Sequence, residues 1–132
     1  MTEDKKMKIL LVEDEPAISK VYAEELTDEG FVTLTATNGR DGLELALVEK
    51  PDLILLDILM PIMDGLTMMD QLRKKNEYGR KVPIILLTNL SADEERIIKA
   101  IVENEPVYYV VKSDYKLSDV VKMVREGLTR IS

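Results

Sequence analysis

Two stretches of the chain, Leu53-Ile54-Leu55-Leu56 and Ile84-Ile85-Leu86-Leu87, are apolar at every position. A strand with one face in water alternates apolar and polar residues. An unbroken run of this length therefore marks a strand covered on both faces, as in a parallel sheet. Further short apolar runs give five predicted strands, at residues 8–12, 31–36, 53–56, 82–87 and 107–111.

A sheet buried on both sides needs helices on both sides, and the intervening segments supply them. Leu117, Val120, Val121, Val124 and Leu128 form one stripe of a 3.6-residue period, with Lys116, Lys122, Arg125 and Glu126 elsewhere on the wheel. Ile18, Val21, Tyr22 and Leu26 form a second stripe, opened by Pro16 and stopped by Gly30. Weaker helical patterns cover 40–50, 66–78 and 92–105, with Asp64 and Ser91 suited to the N-caps of the last two. Strand and helix alternate five times. Such a run closes as a parallel α/β sheet with right-handed crossovers.

The 132 residues fit one domain at the usual roughly 100 to 200 residues per domain, and 45% hydrophobic residues suffice for its core. The reading is a single domain over 1–132 with its core at about 8–128. Only four residues follow Leu128, so no output domain is expected. Eighteen cations against 25 acids leave a net charge of −7, which repels the nucleic-acid backbone and argues against direct nucleic-acid binding. There is no Cys and no His, which removes disulfides, thiolate metal sites and His-based catalysis. The apolar stretch after Lys5, Lys6 and Lys8 stops at Glu13, short of the roughly 7 to 15 residues of a secretory signal. No segment reaches the roughly 20 apolar residues of a membrane span, so a soluble cytoplasmic protein is expected.

In an open parallel α/β sheet, ligands bind beyond the carboxyl ends of the strands. Four of the five predicted strand ends carry a chemically capable side chain: Glu13 and Asp14 after the first, Asp57 after the third, Thr88 at the fourth and Lys112 after the fifth. Two carboxylates about 4 Å apart repel by roughly 4 kcal/mol at an effective dielectric of 20, so Glu13, Asp14 and Asp57 converge only around a proton or a cation. An oxygen-only ligand set selects Mg²⁺ or Mn²⁺ over zinc. An Asp carboxylate beside such a cation can attack phosphorus to give an acyl phosphate. Asp57 is the candidate nucleophile. Glu13 and Asp14 are the candidate metal ligands, Lys112 a fixed positive charge, and the Thr88 hydroxyl a donor to a phosphoryl oxygen.

At these residues the chain resembles a response-regulator receiver domain of two-component signalling. The resemblance rests on I-L-L-V-E-D-E-P at 9–16, D-I-L-M-P-I-M-D-G at 57–65, L-L-T at 86–88 and Y-V-V-K at 109–112. It covers about residues 8–128 and implies a flavodoxin-like sheet of strand order 2-1-3-4-5. By the resemblance, Asp57 accepts a phosphoryl group from a sensor histidine kinase or phosphotransfer protein. Glu13 and Asp14 hold Mg²⁺ directly or through water, and the Leu59 carbonyl completes the metal shell. Thr88 and Tyr109 form the switch, Tyr109 because it stands three before Lys112. A downstream protein reads the fourth helix, fifth strand and fifth helix, here about 92–130, and phosphorylation-dependent homodimerisation is a further expectation. Such a domain catalyses only its own phosphorylation and dephosphorylation. Two positions depart from the family pattern: Ser113 stands where Pro with a cis peptide is usual, and Asn89 where a small residue is common. A cis bond before a non-proline residue costs about 2.5 to 4 kcal/mol, so the 112–113 bond is expected trans or strained.

Competing readings are a pseudo-receiver that binds partners without phosphate chemistry, and a small Mg²⁺-dependent phosphatase. The complete acidic, Thr and Lys set argues against the first. Against the second, Leu59 stands where a D-x-D motif needs its second acid. A flavodoxin is disfavoured because Glu13, Asp14 and Glu15 would repel a flavin phosphate. Met60, Met63, Met68 and Met69 read as adaptable packing rather than a metal site.

Overall fold

The computed structural model describes residues 6–89 and 95–129. Its elements run β1 (Lys8–Val12), α1 (Pro16–Asp28), β2 (Val32–Ala36), α2 (Gly39–Glu49), β3 (Leu53–Leu56), α3 (Gly65–Lys75), α4 (Glu77–Lys81), β4 (Ile84–Thr88), α5 (Glu95–Asn104), β5 (Tyr108–Val111) and α6 (Leu117–Thr129), with a 3₁₀ turn at Lys112–Asp114. The five strands are all parallel, in the order β2-β1-β3-β4-β5.

Side chains alternate across a strand, so each apolar run feeds two cores. Leu10, Val12, Ile54, Leu56, Ile84 and Leu86 pack on one face with residues of α2, α3 and α5 such as Ala46, Met68 and Ile97. On the other face Ile9, Leu11, Leu53, Leu55, Ile85 and Leu87 meet Leu26 of α1 and Val120, Val121 and Val124 of α6. This division is the reason β3 and β4 admit no polar residue before their last position. Truncating one of these fully buried residues to Ala costs about 2–5 kcal/mol.

Several boundaries differ from the sequence reading, each for a local reason. The pattern over 66–78 is two helices, because Asn76 is fully extended (φ −162°, ψ −178°) and its side chain caps α4 by accepting from Gly79 N at 2.8 Å. The fourth and fifth predicted helices are therefore α5 and α6. Val82 closes α4 instead of opening a strand, and β4 begins after Pro83. Phe31 and Val107 likewise lie just outside their strands. Val21, placed in the buried stripe of α1, is 52% exposed, and Leu26 is the buried residue of that helix. Gly30 stops the α1 segment with φ 97°, a conformation that side chains resist. Asp64 caps α3 as predicted, its carboxylate accepting from Thr67 N at 2.8 Å. Ser91, and residues 92–94 of the predicted fourth helix, lie outside the described residues. Met68 and Met69 are fully buried and Met60 and Met63 pack against the same core, in accord with a packing role.

Candidate functional site

Strand register brings the predicted residues to one edge. Val12 is the Cα partner of Leu56, so the residues that follow, Glu13 and Asp57, emerge side by side. Backbone bonds fix both: Asp57 N donates to Val12 O and Glu13 N to Ala36 O, each at 3.0 Å. Thr88, the last residue of β4, pairs with Val111, so Lys112 leaves β5 at the same edge. Chain segments separated by up to 99 positions thus deliver their polar side chains to one place.

The charges there are coupled. Lys112 Nζ donates to Glu13 Oε1 at 2.5 Å and to Asp57 Oδ2 at 3.4 Å. The second oxygen of Glu13 accepts from Glu15 N at 3.1 Å, and that of Asp57 from Ile58 N at 2.7 Å. Asp14 makes no hydrogen bond or ion pair among the described residues and remains part-exposed. One oxygen from each of Glu13, Asp14 and Asp57 lies within 4.8 Å of the other two. Three carboxylates therefore face a single ammonium, and the donor set is all oxygen. That is the composition a hard divalent cation requires.

Burial pushes the Asp57 carboxyl up to about 6, with Lys112 opposing and Glu13 adding to the shift. At neutral pH it is still the carboxylate a nucleophile must be. Its side chain keeps 10% exposure, so the carboxylate is not sealed from solvent. Burial works against the charge of Lys112, but its bond to Glu13 and the Asp57 charge hold the ammonium above its ordinary range. Thr88 is buried at the strand end between these groups.

The loop that follows Asp57 is held by close backbone contact. Gly65 N donates to Ile58 O at 2.8 Å, and a Cβ on Gly65 would lie 1.9 Å from Asp57 O. Only glycine lets the start of α3 approach the strand end this closely. Between them, Met63 N bonds Pro61 O at 2.7 Å across Ile62, whose φ of 70° is the strained form of a γ-turn. Arg96 of α5 reaches back to Asp64 Oδ2 at 2.6 Å.

A family model for the response regulator receiver domain matches residues 9–125. The chain belongs to the response regulator receiver domain family. The receiver is 40% identical over 95 residues to a probable transcriptional regulator of Porphyra purpurea, covering 72% of this chain and 37% of that protein. It is 33% identical over 126 residues to a protein-glutamate methylesterase/protein-glutamine glutaminase of Archaeoglobus fulgidus, covering 95% of this chain and 35% of that protein. The chain thus spans little more than a third of these two relatives. Among solved structures, a CheY-like receiver domain protein from Methanospirillum hungatei superposes with a TM-score of 0.85 at 22% identity, covering 96% of each chain. That likeness concerns the fold.

Glu13, Asp14, Asp57, Thr88 and Lys112 stand at this edge of the receiver, whereas Tyr109 is set back within β5, opposite Leu86. Tyr109 packs with the core under α2, α3 and α5, whereas Tyr108 packs on the α1/α6 face, as strand alternation requires. Tyr109 is one strand removed from the carboxylates, on the side facing α5. No peptide bond among the described residues is cis, so the 112–113 bond is trans. Sequence reading assigned Tyr22 to a packing stripe. In the structure this half-buried phenol also senses the site: burial raises its pKa, Lys112 opposes and Glu13 adds. The available signal was its position two turns into the helix that follows the acidic loop. The Asp64–Arg96 contact, 32 residues apart, left no mark in either local pattern.

Proposed function

We propose that this receiver accepts a phosphoryl group on Asp57 from the phosphohistidine of a sensor kinase or phosphotransfer protein and passes the change to a downstream protein through the region 92–130. An Asp57 carboxylate oxygen forms the new bond to phosphorus while the bond from phosphorus to the donor nitrogen breaks, and the donor imidazole leaves with that electron pair. These 132 residues contain no His, so the donor histidine lies outside them. Glu13, Asp14, Asp57 and the Leu59 carbonyl are the residues that would hold Mg²⁺, whose chemistry is to neutralise phosphoryl oxygens. Lys112 offers an ammonium that already contacts the Asp57 carboxylate, and Thr88 a hydroxyl for the phosphoryl group.

Phosphorylation adds about −1.5 to −2 charges at Asp57, drawing Thr88 toward the phosphate and opening space into which Tyr109 moves. That packing change biases the α5–β5–α6 face between two states, only one of which the partner binds. Ile98 and Val102, one helical turn apart on α5, are 48% and 72% exposed and present apolar surface for such a contact. The observation that carries the reading is the meeting of Asp57 with Lys112 inside the cluster of three carboxylates. Its test is phosphorylation by acetyl phosphate with Mg²⁺. Wild type should take up phosphate, and Asp57→Asn and Asp14→Ala should not. Failure of wild type under conditions where another receiver responds would leave only a phosphorylation-independent binding module.

A further inference from the structure

A cavity of about 550 Å³ opens at the opposite edge of the sheet, where the chain enters β4 and β5. Arg73 and Lys74 of α3 and Arg80 and Lys81 of α4 line it, against Glu103 and Glu105. Residues 73–81 hold five cations and one acid in a chain of net charge −7, a local reversal of sign. Two other concavities are acidic, one lined by Asp41 and Glu44, another by Glu24 and Asp28.

The cations are only partly compensated. Arg80 and Lys81 share the single carboxylate of Glu77. Arg73 donates from Nε to Asn104 O at 2.8 Å, and from Nη1 to Gly79 O at 2.9 Å and Val82 O at 2.6 Å. Three carbonyls fix the guanidinium plane, yet none neutralises its charge. Its Nη2 has no partner among the described residues, and no buried side-chain polar atom there lacks one. That edge of the fork is therefore open, and Arg73 lines the cavity. A fixed guanidinium edge with neighbouring mobile cations is suited to phosphate oxygens. Val82, Pro83 and Val107 give the lining an apolar part, and the volume lies within the roughly 300–1,000 Å³ of small-molecule sites.

We propose that this cavity binds a phosphate group, free or as the monoester of a nucleotide, with Arg73 Nη2, Arg80 and Lys81 holding it. The site is separate from Asp57 and independent of its phosphorylation.

The test follows backbone amide resonances of the metal-free full chain in EDTA, so that no cation draws anions to Asp57. Adenosine monophosphate, inorganic phosphate and adenosine are titrated to about 10 mM, a range that captures weak binding of a few kcal/mol. Saturable shifts of Gly79, Val107 and Gly127 are expected with both anions and not with adenosine. An Arg80→Ala/Lys81→Ala variant should bind at least about tenfold more weakly, since both residues are exposed cations outside the core. Tighter binding of the nucleotide than of phosphate assigns a nucleotide ligand, and equal binding assigns free phosphate. The proposal is overturned if these amides do not respond, if the variant binds equally well, or if adenosine shifts them as much as its monophosphate does.

Discussion

Asp14→Asn should change the sign of its effect on stability when Mg²⁺ is added. Without metal, Asp14 faces Glu13 and Asp57 with oxygens within 4.8 Å and has no ion pair among the described residues. At that distance each repulsion is worth about 0.9 kcal/mol in bulk water and about 3.5 kcal/mol at an effective dielectric of 20. Asp14 is part-exposed, so solvent screens these repulsions and the relief on neutralising it should be about 1 kcal/mol. For a domain of this size that raises Tm by roughly 4 °C. Mg²⁺ at 100 times its Kd stabilises wild type by about 2.7 kcal/mol. If the variant binds the ion about 30-fold more weakly, it gains only about 0.9 kcal/mol at the same concentration. The variant should therefore be the more stable protein in EDTA by about 1 kcal/mol and the less stable one in saturating Mg²⁺ by roughly the same amount. Urea unfolding in the two buffers measures both differences. A variant destabilised in EDTA, or an equal gain from Mg²⁺ in both proteins, would refute the carboxylate cluster as a cation site.

Gly65→Ala should lose about 3 kcal/mol or more and slow acetyl phosphate-driven phosphorylation, because the new Cβ meets the Asp57 backbone oxygen at 1.9 Å. Gly127→Ala, whose Cβ meets the end of the Leu53 side chain at 2.8 Å, should cost about 1 kcal/mol or less in the same denaturation assay. Burial pushes the Asp64 carboxyl up, but the Thr67 N–H and Arg96 outweigh it and hold it below the ordinary carboxylate range. A depressed folded pKa stabilises above the unfolded value, and that contribution is lost as pH falls through the folded one. Asp64→Asn keeps a capping side chain, so it should cost roughly 0.5–1 kcal/mol at pH 7 and progressively less below about pH 4. A pH-independent difference would assign the effect to packing. Ile62→Gly should raise stability by about 0.5–1 kcal/mol, since it relieves a β-branched residue at φ 70°. A loss in urea midpoint would mean that the Ile62 side chain makes contacts that outweigh its strain.

The strand runs and helix stripes were legible because burial is recorded residue by residue. Unbroken Leu53–Leu56 reads as a strand with both faces covered, and the structure puts it at the centre of the sheet. The carboxylates, Thr88 and Lys112 were legible as strand-end residues for the same reason: each polar group follows the last residue a core can accept. Boundaries set by side-chain geometry were not. Asn76 breaks a helical pattern by capping the next turn, and Val21 faces water despite its place in an apolar stripe.

The amino-acid order alone therefore indicated the fold class, the succession of strands and of every helix but α4, and which residues follow the strand ends. Only the tertiary structure decided that Lys112 pairs with Glu13 as well as Asp57, that Asp14 is the carboxylate of the three with no partner among the described residues, and that Arg96 reaches Asp64. The reason is one of range. Periodicity is a local consequence of burial, whereas an ion pair depends on the register and distance between segments that the chain brings together only when its sheet is complete.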